Sequence, residues 1–280
     1  MRDTLGLRLH AARIVAAREL RLAVTGIGAY VVAAIALLAA GWIVSNDVRA
    51  IRASDLLVLE HPFQTSATVI VLLISLFLGV SAVVSVARER DRGTLEVLFY
   101  GPIDELSYLV GKLVGQLGGY LAILLMVLIG LLLLSFLTGF GLTGSVVAGL
   151  VLSVVAVAQV VAVALLLSVV GGRLRSGVLL FMGITLVLVA IGLGNQFLAA
   201  VPIESATSPV LPLRDALATL QSIVAWVSPY VALERTIDSI TLGAWGTAAF
   251  VCGLALVYAA AATLAAALVL RRRGVRARGE

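Results

Sequence analysis

Gly111 followed by Lys112 is the dipeptide that closes a phosphate-binding loop, in which glycines cradle the phosphates and the lysine reaches them. Here no glycine stands at the required spacing upstream, and Leu113 occupies the place of the serine or threonine that would meet magnesium. Nucleotide binding by such a loop is excluded. His10 and His61 are isolated, with no carboxylate or cysteine at metal-ligand spacing, and they read as ordinary polar residues. The single cysteine, Cys252, lies in an apolar run, so neither an intramolecular disulfide nor a cysteine metal cluster is available. No catalytic, cofactor-binding or metal-binding residue is assigned, and the chain reads as a non-enzyme.

One segment, 88–112, has an order that goes beyond apolar bias. Arg88, Glu89, Arg90, Asp91 and Arg92 crowd its front, and Gly93 breaks the helix that delivers them. Thr94 is of a helix N-cap type. After it, Leu95, Leu98 and Phe99 share one face of a short helix, while Glu96 and Tyr100 share another. Gly101 ends that helix, Pro102 suits the first position of the next, and Asp104 and Glu105 fall in its first turn, where carboxylates favour the dipole. Such a stub is either a solvated loop or a surface built to press on a partner.

The elements that hold this segment are greasy. Of 280 residues, 61% are apolar and 12% charged, and the mean hydropathy is +1.14. Soluble domains carry roughly 25% charged residues, so an integral membrane protein is implied. Six spans are predicted, at 22–44, 65–87, 113–137, 146–170, 178–201 and 244–270. Together they make a single transmembrane domain of the all-α class over 1–280, with an outer loop at 202–243 and a tail at 271–280. Within 1–21, Leu5, Leu9, Ala12, Ala16 and Leu20 share a helical face among five arginines, which predicts an interfacial helix lying on the bilayer. The apolar run that follows is longer than a signal-peptide core and is read as a retained first span.

Six crossings place both termini on one side. Sixteen lysines and arginines then fall on that side, Lys112 among them, and only Arg49, Arg52, Arg214 and Arg235 on the other. By the positive-inside rule the termini and the 88–112 loop are cytoplasmic. The basic residues flank spans and form no single patch, which excludes a nucleic-acid partner. With this topology no Ser/His/Asp or paired-carboxylate arrangement assembles on one side. The outer loop holds Pro202, Pro209 and Pro212, and then material for one or two short helices lying at the outer surface.

No ionisable residue stands in the interior of the six predicted spans, which argues against an ion-coupled carrier. Gln159 is an amide at mid-depth, and Asn195 and Gln196 lie near the outer end of the fifth span. These amides serve either a pathway or interhelical hydrogen bonds. Gly111, Gly115 and Gly119, four apart, predict close helix packing, against a helix of this chain or of a second protomer.

The central segment resembles the first cytoplasmic loop of permease subunits of type-2 ATP-binding-cassette exporters. The family pattern is an acidic residue, a spacer, Gly-Thr-Leu-Glu, apolar residues, a proline, and a Gly-Lys opening the third span. Glu89, Gly93, Thr94, Leu95, Glu96, Leu98, Pro102, Gly111 and Lys112 fall on it. Gly101 departs from it, standing where a threonine or another larger residue precedes the proline. Ala16 to Leu20 is similar to the family's N-terminal elbow helix, and Ser228, Pro229 and Tyr230 to its outer segment before the last span.

The resemblance implies an N-terminal elbow helix, six spans, dimerisation with a like or homologous permease, and docking of two separate ATPase subunits. Thr94 to Tyr100 would be the coupling helix, with Glu89, Leu95, Glu96, Leu98, Phe99 and Pro102 in the docking segment. ATP and magnesium would sit on the partner ATPase, with no cofactor in this chain, and there is room for accessory proteins. The implied setting is a prokaryotic cell membrane. The absence of charge in the spans favours an apolar or amphiphilic cargo. Two alternatives stand beside it: transmission of force from the same ATPase without cargo and, weakened by the missing charge in the spans, an ion-coupled carrier.

Overall fold

The structure is a computed structural model that describes residues 2–54, 63–99, 103–200 and 210–273. Among these residues every regular element is helical: α1 (Arg2–Thr25), α2 (Ile27–Ser54), α3 (Gln64–Asp91), α4 (Thr94–Phe99), α5 (Glu105–Thr138), α6 (Gly144–Gly171), α7 (Leu174–Ala200), α8 (Val210–Val227), α9 (Pro229–Thr241) and α10 (Trp245–Arg273). Six stretches are long and apolar enough to cross a bilayer: Ile27–Arg49, Gln64–Asp91, Glu105–Thr138, Gly144–Gly171, Leu174–Asn195 and Trp245–Arg272. These lengths and compositions make a multi-pass membrane protein.

The core forms around α6, which touches α3, α5, α7, α9 and α10. Val157, Val161, Ala164, Leu165 and Val169 on α6 are buried together with Ile70, Ile74, Leu78 and Val83 of α3. The outer helices keep large apolar side chains on the outside, among them Leu125, Leu133 and Phe136 of α5, Leu186 and Phe197 of α7, and Val257 of α10. Helices apolar both inward and outward are stable only where the surround is lipid or another apolar protein face.

The structure shifts the predicted start of the first span. Gly26 interrupts the helix, α1 ends at Thr25, and α2 opens with the Ala29 N–H donating to the Gly26 carbonyl at 3.3 Å. Residues 22–25 therefore belong to α1. At the third span the correction runs the other way. α5 begins at Glu105 and is 34 residues long, about 51 Å at 1.5 Å per residue. A hydrocarbon core of roughly 30 Å needs about 20 residues, so α5 has several turns to spare. Asp104 is its N-cap, with extended backbone, and not part of the first turn. Pro102 and Gly101 lie outside the described residues.

The glycine stripe has its partner inside this chain. A Cβ on Gly111 would meet the Ala12 carbonyl oxygen at 2.7 Å, one on Gly115 the Glu19 Cβ at 2.6 Å, and one on Gly119 the Ala23 Cβ at 2.9 Å. Because both numberings rise together, α1 runs beside the start of α5 in the same direction. Small residues on both helices allow that close approach. α1 therefore has a second, inward face besides the predicted apolar stripe. Ala11, Val15 and Glu19 are buried, while Leu9 is 68% exposed and Leu20 is also exposed.

The outer loop also differs from expectation. α8 and α9 meet at an angle of 84°. Leu233, Thr236, Ile237 and Ile240 of α9 are buried, so α9 is inserted in the bundle rather than laid over it. The Tyr230 hydroxyl lies 3.0 Å from Thr185 Oγ1, near the middle of α7. Further along α9, Gln64 Nε2 at the start of α3 donates to Asp238 Oδ1 at 2.7 Å. α7 starts beside the far end of α3, where a Cβ on Gly177 would lie 3.1 Å from Val83 Cγ1, and so ends near the start of α3. The α8–α9 pair thus enters and leaves from one end of the bundle, which is a re-entrant hairpin.

Replacing Gly115 by valine should force α1 away from α5. Overpacking of this kind costs about 1–3 kcal/mol, to be read as a lower thermal midpoint in detergent. Alanine at Gly183, a helical position with open space around it, should leave the midpoint unchanged or slightly raised.

Candidate functional site

Two stripes of polar residues, each repeating every fourth position, face one another where α3 ends and α5 begins. Ser81, Ser85 and Glu89 lie along α3, and Tyr108, Lys112 and Gln116 along α5. A four-residue period keeps each set on one side of its helix. α1 closes the third side with Arg18 and Glu19.

Lys112 is completely buried. Its Nζ donates to Glu19 Oε1 at 2.7 Å, Glu89 Oε1 at 3.2 Å and Ser85 Oγ at 3.2 Å. An ammonium group has three N–H bonds, so its donors are all engaged. The Tyr108 ring lies 5.2 Å from Nζ and adds a cation–π contact. Glu89 takes a second set of donors: the Tyr108 hydroxyl at 2.5 Å on Oε2, and Arg18 Nη2 on Oε1. Arg18 also approaches Glu19 Oε1 at 3.5 Å. Gln116 Nε2 reaches Glu19 Oε2 and Ser81 Oγ, each at 3.5 Å. Two cations and two carboxylates balance, which is the condition under which charges are tolerated out of water.

Lys112, just outside the span predicted from residue 113, is buried within the bundle and is not a surface cation. Glu19, at 4% exposure, is likewise internal. The polar stripes were present in the sequence as four-residue periods crossing the predicted loop–span boundary.

The same turn of α3 grips a fourth helix. Arg90 Nη1 donates to the Val169 carbonyl at 3.2 Å, at the C-terminal end of α6, where a cation favours the helix dipole. Ser168 Oγ donates to the Val83 carbonyl at 2.9 Å. Glu89 and Arg90, adjacent in sequence, thus tie α3 to α1 and α5 on one side and to α6 on the other.

From this turn the chain passes through Gly93, at φ +69°, a conformation that glycine adopts without strain. The Thr94 hydroxyl does not cap α4. It turns back and donates to the Glu89 carbonyl at 2.8 Å. The apolar face of α4 then points into its own chain: Leu95 is 1% exposed, Leu98 and Phe99 are half-buried against the core, and the Phe99 ring meets Tyr108 edge-on at 5.8 Å. This corrects the expectation that Leu95 presses on a partner, because it has no surface left to offer. The outward residue is Val97, 73% exposed, with Arg88, Asp91, Arg92 and Thr94 exposed beside it. Glu96 lies within α4, but its side chain, like Tyr100 and Pro102, is outside the described residues.

The remaining predicted polar positions do not converge here. Gln159 is buried at mid-length in α6 and lines a cavity with α8, α9 and α10. Asn195 is partly exposed near the end of α7 and does not line that cavity. The Gln196 side chain is outside the described residues. No protein-family model and no curated protein matches this chain.

Lys112→Met should destabilise the protein by about 3–5 kcal/mol, because two carboxylates lose their buried counter-ion. Adding Glu19→Gln to it should restore a large part of that loss. Unfolding titrations of the single and double variants in mixed micelles check both, and equal losses in the two would show that the charges are not coupled.

Proposed function

We propose that this chain is the permease subunit of an ATP-binding-cassette exporter of the type-2 class, working as a dimer with itself or a homologue. ATP hydrolysis would lie on two separate ATPase subunits, and the termini and the α3–α5 connection would face the cytoplasm of a prokaryotic cell. The observation that supports the reading most is the mounting of α4. A six-residue helix too short to stand alone is fastened to two longer helices, α3 and α5, by Glu89, Thr94, Phe99 and Tyr108. Its exposed side carries Val97 amid Asp91 and Arg92.

A stub built this way suits a mechanical coupler. A partner pressing on Val97 moves α4, and the Glu89–Lys112 pair passes that displacement to α1 and α5 as a rigid-body shift. Arg90 passes it to α6. The motif resemblance in 88–112 supports the class of partner, a cassette ATPase, and the seating of Leu95 supports a contact through Val97 and its neighbours.

Affinity purification of the tagged chain from its native membrane, followed by mass spectrometry, should recover a cassette ATPase. Val97→Asp should abolish that recovery, and the ATPase stimulation that accompanies it, by tenfold or more while leaving the thermal midpoint of the permease unchanged. Absence of any ATPase from the wild-type purification would overturn the reading.

A further inference from the structure

A cavity of about 380 Å³ lies between α6, α8, α9 and α10, within the size range of small-ligand pockets. It is remote from the charged junction and takes no part in the coupling reading. Its walls are mostly apolar, with Trp226, Phe250 and Leu254 prominent, and the polar side chains among them are Gln159, Arg235, Ser239, Thr247 and Tyr258.

Two observations point to a ligand. Gln159 is 2% exposed, and its Oε1 has no hydrogen-bond partner. A buried amide oxygen left in that condition costs about 1–3 kcal/mol, which a donor on a ligand would recover. The second is Arg235. The inner part of α9 is anchored at mid-depth by Tyr230 against Thr185, and its outer part by Asp238 against Gln64. Arg235 stands between them as an exposed residue that lines the cavity. Among the described residues no carboxylate forms an ion pair with it. A cation on an otherwise mostly apolar wall favours a ligand with an anionic head.

We infer that this cavity binds an amphiphilic anion. Arg235 takes its carboxylate or phosphate head, Gln159 Oε1 accepts from an O–H or N–H near that head, and the apolar body lies on Trp226, Phe250 and Leu254. The shared chemistry fits a free acyl anion or the head of an anionic bilayer lipid. Arg235 decides against a neutral or cationic amphiphile, since nothing anionic in the lining would offset the latter.

The chain has three tryptophans. Replacing Trp42 and Trp245 by phenylalanine leaves Trp226 as the only indole reporter, on the cavity wall. The protein is placed in phosphatidylcholine nanodiscs and titrated with doxyl-stearate, a quencher bearing a carboxylate, and with its methyl ester. Saturable quenching by the acid, at least tenfold tighter than by the ester, is expected. Arg235→Gln should remove that preference, and Arg235→Lys should keep most of it. If acid and ester quench alike without saturation, the probe is only dissolved in the bilayer and the inference is wrong. A preference that survives Arg235→Gln overturns it too.

Phosphatidylglycerol in the disc separates the two sources. Displacement of the probe assigns the site to an anionic bilayer lipid, and failure to displace assigns it to a free acyl anion. If Arg235→Gln does not fold, the acid-over-ester ratio in the parent protein still decides. None of these measurements involves an ATPase, so failure here and failure of α4 docking are seen separately.

Discussion

Everything at one end of this bundle depends on hiding the ammonium group of Lys112. A lone ammonium in a low-dielectric interior carries a penalty of several kcal/mol even after relaxation. It is tolerated because α1 supplies Glu19 and α3 supplies Glu89 and Ser85. That requirement sets the arrangement of three helices at once. Glu19 reaches Lys112 only if α1 lies close against α5, and α1 lies close only because Gly111, Gly115 and Gly119 leave room. Charge pairing and small-residue packing are therefore one constraint seen from two sides.

The same constraint makes the end of α3 a mechanical hub. Glu89 is bound to α1 and α5, Arg90 to α6, and the Glu89 carbonyl to Thr94 of α4. Short, charge-assisted bonds of this type are stiffer and more directional than apolar contacts. Displacing α4 without displacing α3 and α5 would break the Thr94 hydrogen bond and the Phe99–Tyr108 ring contact. The apolar side of α4 contributes to the seat and not to the exposed surface, so the stub is held by one face and presented by the other.

At the opposite end the design is looser. The re-entrant hairpin of α8 and α9 brings polar groups to mid-depth without a continuous span, and helical backbone satisfies its own hydrogen bonds there. The hairpin leaves space that close packing would otherwise fill, and the polar groups around that space are not mutually satisfied: Gln159 Oε1 lacks a partner. One end of the molecule is thus held by buried charge pairs, and the other contains a cavity. Such a division suits a device that receives force at one end and handles a ligand at the other.

Long apolar runs sufficed by themselves to announce six spans, because crossing a bilayer is a matter of local length and hydropathy. Gly93, with its positive φ, marked the break before α4 for an equally local reason. The stripes of Ser81, Ser85 and Glu89 and of Tyr108, Lys112 and Gln116 were also legible as four-residue periods, but a predicted span starting at residue 113 left Lys112 outside the membrane domain. What only the tertiary structure decided is which neighbour each face meets. Val15 and Glu19 turn inward because α5 presents glycines to α1. Leu95 turns inward because Tyr108 and the core lie behind α4, and Arg235 and Gln159 share a cavity because α9 folds back into the bundle. Those outcomes rest on shape and charge contributed by residues of other helices, such as Gly111 against Ala12 and Gly115 against Glu19, and no local pattern encodes them.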